Sequence, residues 1–378
     1  MICNSDDRFT HYNSVTISYL IEGILKARTT NLAEIVHHID YDGLSSSLYK
    51  QFQRFFRKEM EIGGLSFYLV EDFINTLLSV FHKRLHLYLS IDRHNLKFGS
   101  KNNNLLAVHL FEPTTGIDFP VHVLDLNHAG NSSTFSRIKI LNDISCFLEP
   151  YINASQIRVT VLGDREFIGN DWQEYLQLNF NSSVLRLKRS FTMDNGLTVA
   201  EVYNNLSINE IYEYTNDTYK IVIKRLPPIK GRRDSCLALI SYDRSLSVRR
   251  ILSIYKIRWG IERAFFNLES NGFNTRDTHL DKPKRIEMMV FILFACYYFS
   301  VITGYLNSLE RRIPVKNHGY KATSLFLSGR RFLCGLLNKY IISSQSTVIE
   351  RLNYIFGSMY LLFKKNLIQN HAVKIGVL

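Results

Sequence analysis

The chain has 378 residues, enough for two or three domains and a large hydrophobic core. Its 46 lysines and arginines outnumber its 34 acidic residues, and the net charge of +12 favours nucleic acid or an anionic membrane surface as partner. Because 46% of the residues are hydrophobic, this charge belongs to a folded protein and not to a disordered basic tail. The five cysteines include no Cys-x-x-Cys pair, so we expect neither a disulfide framework nor a structural zinc site.

Residues 1–80 are predicted to be helical, because apolar residues recur at helical spacing in 15–25 and 32–39. Basic and aromatic residues alternate in the stretch 48–58, LYKQFQRFFRK. That mixture is typical of a small helical DNA-binding domain, but an ordinary helical lobe with a solvated basic face has the same composition. At this point both interpretations stay open.

From residue 84 onward the apolar period changes to two. Over 85–91 every second residue is leucine or isoleucine, which predicts a strand that ends at Asp92. The elements predicted next are, in order, strands at 105–111 and 119–126, a helix at 134–148, a strand at 157–162 running into Gly163-Asp164, a helix at 172–176 and a strand at 184–188. Three strands, helix, strand, helix, strand is the order of a ribonuclease-H-like α/β catalytic core.

A β-rich insertion is predicted at 191–245, with strands at 198–202, 219–223 and 237–241. It carries a basic run, which is either a solvated loop or a contact to phosphates: Lys224, Arg225, Lys230, Arg232 and Arg233. Helices are expected at 246–270, 288–306 and 329–342. The predicted division is therefore a helical domain (1–80), the first part of the core (81–190), the insertion (191–245), the rest of the core (246–310) and a C-terminal helical region (311–378).

The segment 288–306 contains no charge and reaches the ~18–20 residues that a membrane span needs. No other stretch of the chain approaches it. Polar residues in its interior, such as Ser300 and Thr303, favour a buried core helix over a span.

On a continuous helix over 246–270, a rotation of ~100° per residue places Tyr255, Arg258, Glu262 and Glu269 on one side. Glu262 then projects from the edge of the buried face, one turn after Arg258. By itself this pair is better explained as a surface ion pair at i and i+4, because such pairs are common.

Asp92 and Asp164 are both predicted at the carboxyl ends of strands, where α/β sheets bind their ligands. One such residue is weak evidence, because aspartate is also common in turns and helix caps. Together with Glu262 they provide three carboxylates from separate elements, a donor set that suits Mg²⁺. Two such ions about 3.5–4 Å apart can promote an in-line phosphoryl displacement without a nucleophilic side chain.

Three segments carry a resemblance to a known family: LSID ending at Asp92, VLGDREFIG around Asp164, and Tyr255-xx-Arg258-Trp-xx-Glu262. Together they resemble the DDE transposases of bacterial insertion sequences, in the group marked by a Tyr-Arg-Glu-Lys signature. The resemblance spans residues from about 10 to about 305. It implies a ribonuclease-H-like catalytic core with a β-strand insertion, plus an N-terminal helical domain that helps to bind terminal inverted repeats. It also makes the segment 288–306 a core helix, so no membrane is expected.

The resemblance implies that Asp92, Asp164 and Glu262 hold two Mg²⁺ ions, for which Mn²⁺ can substitute. The DNA contacts expected with it are Tyr255, Arg258, Arg165, Lys230, Arg232 and Arg233. The implied partners are double-stranded DNA, as terminal inverted repeats and as target, and a second copy of the chain in a homodimer on DNA. The implied location is the bacterial cytoplasm, in association with the nucleoid.

The chain departs from the family pattern at the last signature position, where Glu269 stands in place of lysine. Lys282 or Lys284 could take over that phosphate contact. Without it, two alternatives stay open: a catalytically decayed transposase that only binds DNA, or a structure-selective nuclease that does not transfer strands.

A second departure concerns base stacking. Members of the group that form DNA hairpins stack a flipped base on a tryptophan of the insertion, and here both tryptophans, Trp172 and Trp259, lie outside it. Tyr203 or Tyr212 could serve instead, so the hairpin route stays open.

Overall fold

The computed structural model describes residues 11–339 except 100, 230–233, 318 and 320. Four helices precede the first strand: α1 (His11–Ala27), α2 (Leu32–Ile35), α3 (Ser45–Arg57) and α4 (Gly64–Phe81). The central region consists of β1 (Leu85–Phe98), β2 (Lys101–Glu112), β3 (Ile117–Asp125), α5 (Thr134–Asn153), β4 (Ile157–Gly163), α6 (Asn170–Asn179) and β5 (Ser182–Arg186). The rest comprises α7 (Val199–Asn205), β6 (Ile211–Thr215), β7 (Lys220–Arg225), β8 (Cys236–Ser241), α8 (Val248–Tyr255), α9 (Trp259–Phe266), α10 (Pro283–Glu310) and α11 (Leu325–Lys339).

The strands form one eight-stranded sheet in the order β3-β2-β1-β4-β5-β8-β7-β6. β1, β2 and β3 are antiparallel neighbours, whereas β4 and β5 run parallel to β1. Three antiparallel strands followed by two parallel ones joined through helices make up the predicted ribonuclease-H-like α/β core, so the expected fold class is confirmed.

β1 is longer than the sequence predicts. It continues six residues past Asp92 to Phe98, because β2 pairs with it along this whole extension. The parallel partner β4 stops earlier, at the pair Ile91–Gly163. The prediction that a strand ends at Asp92 is therefore wrong for β1 itself, but Asp92 does lie where the parallel pairing ends.

The insertion extends the same sheet through β8, β7 and β6, and β6 had no counterpart among the predicted strands. The strand predicted at 198–202 is wrong, because this stretch forms the helix α7. A capping box explains the difference: the Thr198 side chain accepts from the Glu201 backbone N–H, and the Glu201 carboxylate accepts from that of Thr198. These local bonds satisfy amides that begin a helix, and they outweigh the β propensity of threonine and valine.

The prediction of one regular helix over 246–270 is also wrong. α8 ends at Tyr255, a 3-10 turn spans Lys256–Arg258, and α9 continues into a π-helical turn at Asn267–Gly272. Each change of helical period rotates the side chains that follow, so the spacing of a uniform helix no longer predicts where they point.

α10 is the core helix of the molecule. It is long and apolar enough to cross a membrane, but 89% of its most apolar window is buried in the protein, against α1, α4, α11 and β3. α4 also passes the same test of length and composition, with half of its window buried, so the expectation that one segment stands alone is wrong. Both helices pack within the described protein.

The four described cysteines, Cys146, Cys236, Cys296 and Cys334, are free thiols.

The C-terminal helix predicted at 329–342 is present as α11, which begins at Leu325 and is described up to Lys339. Residues 340–378 lie outside the described residues. The division into domains stays a prediction.

Candidate active site

Sheet register brings the two predicted aspartates together. Ile91 pairs with Gly163, so Asp92 and Asp164 both directly follow the last residue pair of the adjacent parallel strands β1 and β4. Asp92 Oδ1 accepts a hydrogen bond of 2.8 Å from the backbone N–H of Arg93. A side chain at Gly163 would lie 2.9 Å from Cβ of Phe167, so the turn that presents Asp164 packs too closely for any other residue.

Arg258 bridges two of the three predicted carboxylates. Its Nη1 donates to Asp92 Oδ2 at 2.6 Å, and its Nη2 donates to Glu262 Oε1 at 2.7 Å. The residue is only 4% exposed, and its Nε is buried without a hydrogen-bond partner among the described residues. The pair at i and i+4 is present, but it is not a simple surface ion pair, because the guanidinium is buried and also binds Asp92, whereas Glu262 is exposed.

Tyr255 reaches the third carboxylate. Its hydroxyl donates to Asp164 Oδ1 at 3.2 Å, and Nη1 of Arg186 lies 3.7 Å from the same oxygen. The Tyr255 ring is buried against Ile251 and Ile254 in the cluster that packs α8 onto the sheet. The helix residues of the predicted motif therefore engage Asp92 and Asp164 directly.

The charged groups of this site shift one another's pKa values. Burial raises the pKa of Asp92 to about 6; Arg258 opposes this, whereas Asp164 and Glu262 add to it. Burial disfavours the charged form of Arg258, but Tyr255 and the three carboxylates outweigh burial and raise its pKa above the ordinary value. Burial also raises the pKa of Tyr255, which is therefore a neutral hydrogen-bond donor at physiological pH.

The donor set fits a hard divalent cation chemically, since all three groups offer carboxylate oxygens and repel one another without a cation. Its present geometry does not hold one: no three His, Cys, Asp or Glu side chains in the described part of the chain are placed to bind a metal ion. The guanidinium of Arg258 lies between Asp92 and Glu262 and binds both.

Beside Asp164 lies a cluster of arginines that the sequence only partly indicated. Three guanidiniums converge on the carboxylate of Asp234, at 2.9 Å for Arg165, 3.4 Å for Arg186 and 2.7 Å for Arg189. One carboxylate among three cations leaves a net positive surface next to the aspartates. Arg165 is thus placed near the site as predicted, whereas Arg186 and Arg189, on and just after β5, carried no sequence signal.

The other predicted contacts of the insertion, Lys230, Arg232 and Arg233, lie outside the described residues. Asp234, which follows them, is described and belongs to the arginine cluster. Arg233, the last residue of the basic run, directly precedes Asp234 in the sequence.

A second network fixes the loop between β3 and α5 to the site. Glu166 accepts from the backbone N–H of Ser132 at 2.7 Å and from Nε of Arg93 at 3.2 Å. Arg93 also donates to Asn104 of β2, whose side chain binds the carbonyls of His128 and Gly130. Both Arg93 and Glu166 follow catalytic candidates closely in sequence, a proximity that could have revealed them.

The lysines expected to replace the last signature residue are engaged elsewhere. Lys282 lies 3.4 Å from Glu59, and Lys284 pairs with Glu61 and with Glu287, so both join the start of α10 to acids and not to the site. Glu269 lies in the π-helical turn, 15% exposed, where it accepts a hydrogen bond from the backbone of β1.

The aromatic residues considered for base stacking differ in accessibility. Tyr203 is 7% exposed, between the guanidiniums of Arg189 and Arg225, and Trp172 is fully buried. Trp259, at the start of α9, is 56% exposed and lies 5.5 Å from Arg258. An exposed ring therefore borders the carboxylates, although it does not belong to the insertion.

The model of the transposase DDE domain family matches residues 99–299, more than half of the chain. Among solved structures, the piggyBac transposase synaptic complex with hairpin DNA is similar at 11% identity and a TM-score of 0.44, covering 90% of this chain and 74% of that one. Marinitoga piezophila Argonaute in complex with 5′ OH guide RNA is similar at 13% identity and a TM-score of 0.25, covering 62% of this chain and 35% of that one. No curated protein matches the chain.

Proposed function

The chain belongs to the transposase DDE domain family, and from this premise we propose that it is a cut-and-paste DNA transposase of an insertion sequence. Its substrates are double-stranded DNA, as the terminal inverted repeats of the element and as the target. It acts as a homodimer assembled on two DNA ends, in the bacterial cytoplasm in association with the nucleoid. We assign it to the group with the Tyr-Arg-Glu-Lys signature.

One observation carries the proposal: Arg258 and Tyr255 connect Asp92, Asp164 and Glu262 into a single site at one edge of the sheet. Members of this family generally use divalent metal ions. When bound, Mg²⁺ or Mn²⁺ would activate the attacking oxygen and stabilise the leaving one. Asp92, Asp164 and Glu262 would hold the ions.

The other residues of the site bind and orient the DNA. Arg258 leaves the carboxylates and meets a phosphate of the strand being cut, since its buried Nε has no partner and its fork suits phosphate oxygens. Tyr255 is a second contact to the DNA. Its hydroxyl group, which donates to Asp164 in this structure, is a hydrogen-bond donor carried on a rigid, buried ring. Arg165 contacts phosphates beside Asp164, and the basic residues Lys230, Arg232 and Arg233 are further phosphate contacts.

An excision assay tests this function. The gene with its flanking DNA is supplied with wild-type protein or with Glu262→Gln, which keeps the shape of the side chain but removes its charge. We expect release of the element by the wild type alone, with DNA binding equal in both. Excision by the variant at the wild-type rate would refute the assignment of Glu262.

A catalytically decayed transposase is the second candidate, favoured by Glu269 at the signature's lysine position. It predicts that both proteins bind the flanking DNA and neither excises the element. A nuclease without strand transfer would instead release DNA that never joins a target.

A further inference from the structure

We propose that Glu269 is a positioning residue, which fastens the helix that carries Glu262 to the strand that carries Asp92. The proposal rests on the proposed function for the role of these two carboxylates. It replaces the expectation that an anion at this position marks only the loss of a phosphate contact.

The extension of β1 past Asp92 has an open edge. β4 pairs with β1 only as far as Ile91, and β2 covers the opposite edge from Tyr88 to Phe98. The backbone groups of β1 on the side left by β4 therefore need other partners or water.

The segment that follows α9 supplies those partners. Glu269 Oε1 accepts from the backbone N–H of Lys97 at 3.1 Å. The Thr275 hydroxyl donates to the carbonyl of Lys97 at 2.9 Å, and the N–H of Gly99 donates to the carbonyl of Thr275 at 3.4 Å. Residues 269–275 thus continue the sheet edge in place of β4, with a carboxylate as the first acceptor.

A ring contact strengthens the same junction. His94 of β1 stacks on Phe265 of α9, with centroids 4.3 Å apart and planes at 8°. Nε2 of His94 lies 3.9 Å from the other carboxylate oxygen of Glu269. Phe265 and Glu269 are separated by one turn of helix, and both contact His94: Phe265 stacks on the ring, and Glu269 lies near Nε2.

Glu269 lies in the π-helical turn that follows α9. In a π-helix each turn holds about one more residue than in an α-helix, so the side chains after Phe266 are rotated relative to a uniform helix. Lysine at this position could not perform the same task, because an ammonium group offers three donors and no acceptor. The anion is therefore compatible with an intact site in this chain.

Two substitutions of similar length separate the charge from the acceptor. Glu269→Gln removes the charge but keeps an amide oxygen for Lys97, whereas Glu269→Lys removes the acceptor. We expect the glutamine variant to cut DNA within about twofold of the wild type, and the lysine variant to lose up to about a hundredfold, as an active-site displacement of 1 Å can cause. DNA binding by the glutamine variant should equal that of the wild type.

Amide hydrogen exchange reports on the junction without any catalysis. In Glu269→Lys the amide of Lys97 should exchange about tenfold faster than in the wild type, and in Glu269→Gln at the wild-type rate. This readout is independent of the proposed function, so it tests the junction even for a protein that cuts no DNA. Increased DNA cleavage by Glu269→Lys, or unchanged exchange at Lys97 in that variant, would overturn the proposal.

Discussion

At the scale of single residues, the central feature of the site is a cation supplied by the protein itself. Arg258 pairs with Asp92, whose carboxylate is largely buried, and with Glu262, whose side chain is exposed. A buried charge without a partner costs several kcal/mol, so the guanidinium stabilises the site before any other cation arrives. The same contact places Arg258 in competition with a metal ion.

That competition predicts a gain of metal binding on removal of the arginine. Arg258→Gln should bind Mn²⁺ more tightly than the wild type in the absence of DNA, since no guanidinium then occupies the space between Asp92 and Glu262. Its thermal midpoint should also rise more on addition of Mn²⁺, because the ion replaces the missing positive charge. Calorimetric titration measures the first effect and thermal unfolding the second.

Arg263→Gln is the matched control, because its side chain is exposed and touches only Asp118 among the site's neighbours. It should leave Mn²⁺ affinity unchanged. Weaker Mn²⁺ binding by Arg258→Gln than by the wild type would show that the guanidinium does not block the metal position.

A second residue-scale prediction concerns His109 and Asp118, which lie under α9. Nε2 of His109 is 3.5 Å from Oδ2 of Asp118. Burial raises the pKa of Asp118 to about 6, with opposition from Arg263, and lowers the pKa of His109 to about 3. Between about pH 4 and pH 6, folded Asp118 retains a proton that the unfolded chain loses, so the free energy of unfolding falls as pH rises. His109 has the opposite effect, because the unfolded chain binds the proton there.

Asp118→Asn removes one of these opposing effects. Its free energy of unfolding should therefore rise more steeply than that of the wild type from about pH 4 to about pH 6, and exceed it above pH 6. Thermal unfolding across this range measures the difference. Parallel curves for the two proteins would contradict the assignment of these pKa shifts.

At the scale of secondary-structure elements, the site depends on how closely α9 approaches the β2–β3 hairpin. A Cβ atom at Gly260 would lie 2.9 Å from Cε1 of His109 and 3.3 Å from Oδ2 of Asp118. Alanine favours a helix over glycine by about 1 kcal/mol, but here the contact opposes it. Because Gly260 lies between Arg258 and Glu262, any outward shift of the helix moves both.

Gly260→Ala should therefore lower the denaturant midpoint and reduce DNA cleavage together. Gly335→Ala in α11 is the matched control, since a Cβ atom there meets nothing within 4 Å. That control should be more stable than the wild type by up to about 1 kcal/mol. Equal stability of Gly260→Ala and the wild type would show that the space beside α9 accommodates the added methyl group.

At the scale of the whole molecule, the sequence predicts the sheet core well because the pattern there is local. Alternating apolar residues mark β1 and β4. The last pair of residues that joins these strands is Ile91 and Gly163, and Asp92 and Asp164 directly follow them. The family match over residues 99–299 confirms the resemblance to DDE transposases, whereas the group with the Tyr-Arg-Glu-Lys signature stays a prediction. The roles of Asp92, Asp164 and Glu262 stay predictions.

What the sequence does not predict depends on contacts distant along the chain. Nothing near Asp92 indicates that β1 continues to Phe98, because the extension is fixed by β2 and by the segment around Thr275. The 3-10 and π turns on either side of α9 carried no sequence signal, so the prediction of one uniform helix missed them. Arg186 was missed for the same reason, since only the fold brings it to Asp164.

The measurement that tests the central claim most directly is DNA cleavage by purified protein in Mn²⁺. It compares the wild type with Asp92→Asn, Asp164→Asn and Glu262→Gln, and with Asp171→Asn as an exposed acid of α6 outside the site. The account predicts that each of the three site variants binds the element's ends like the wild type but does not cut them, whereas Asp171→Asn cuts normally. Cleavage at the wild-type rate by any of the three site variants would contradict it.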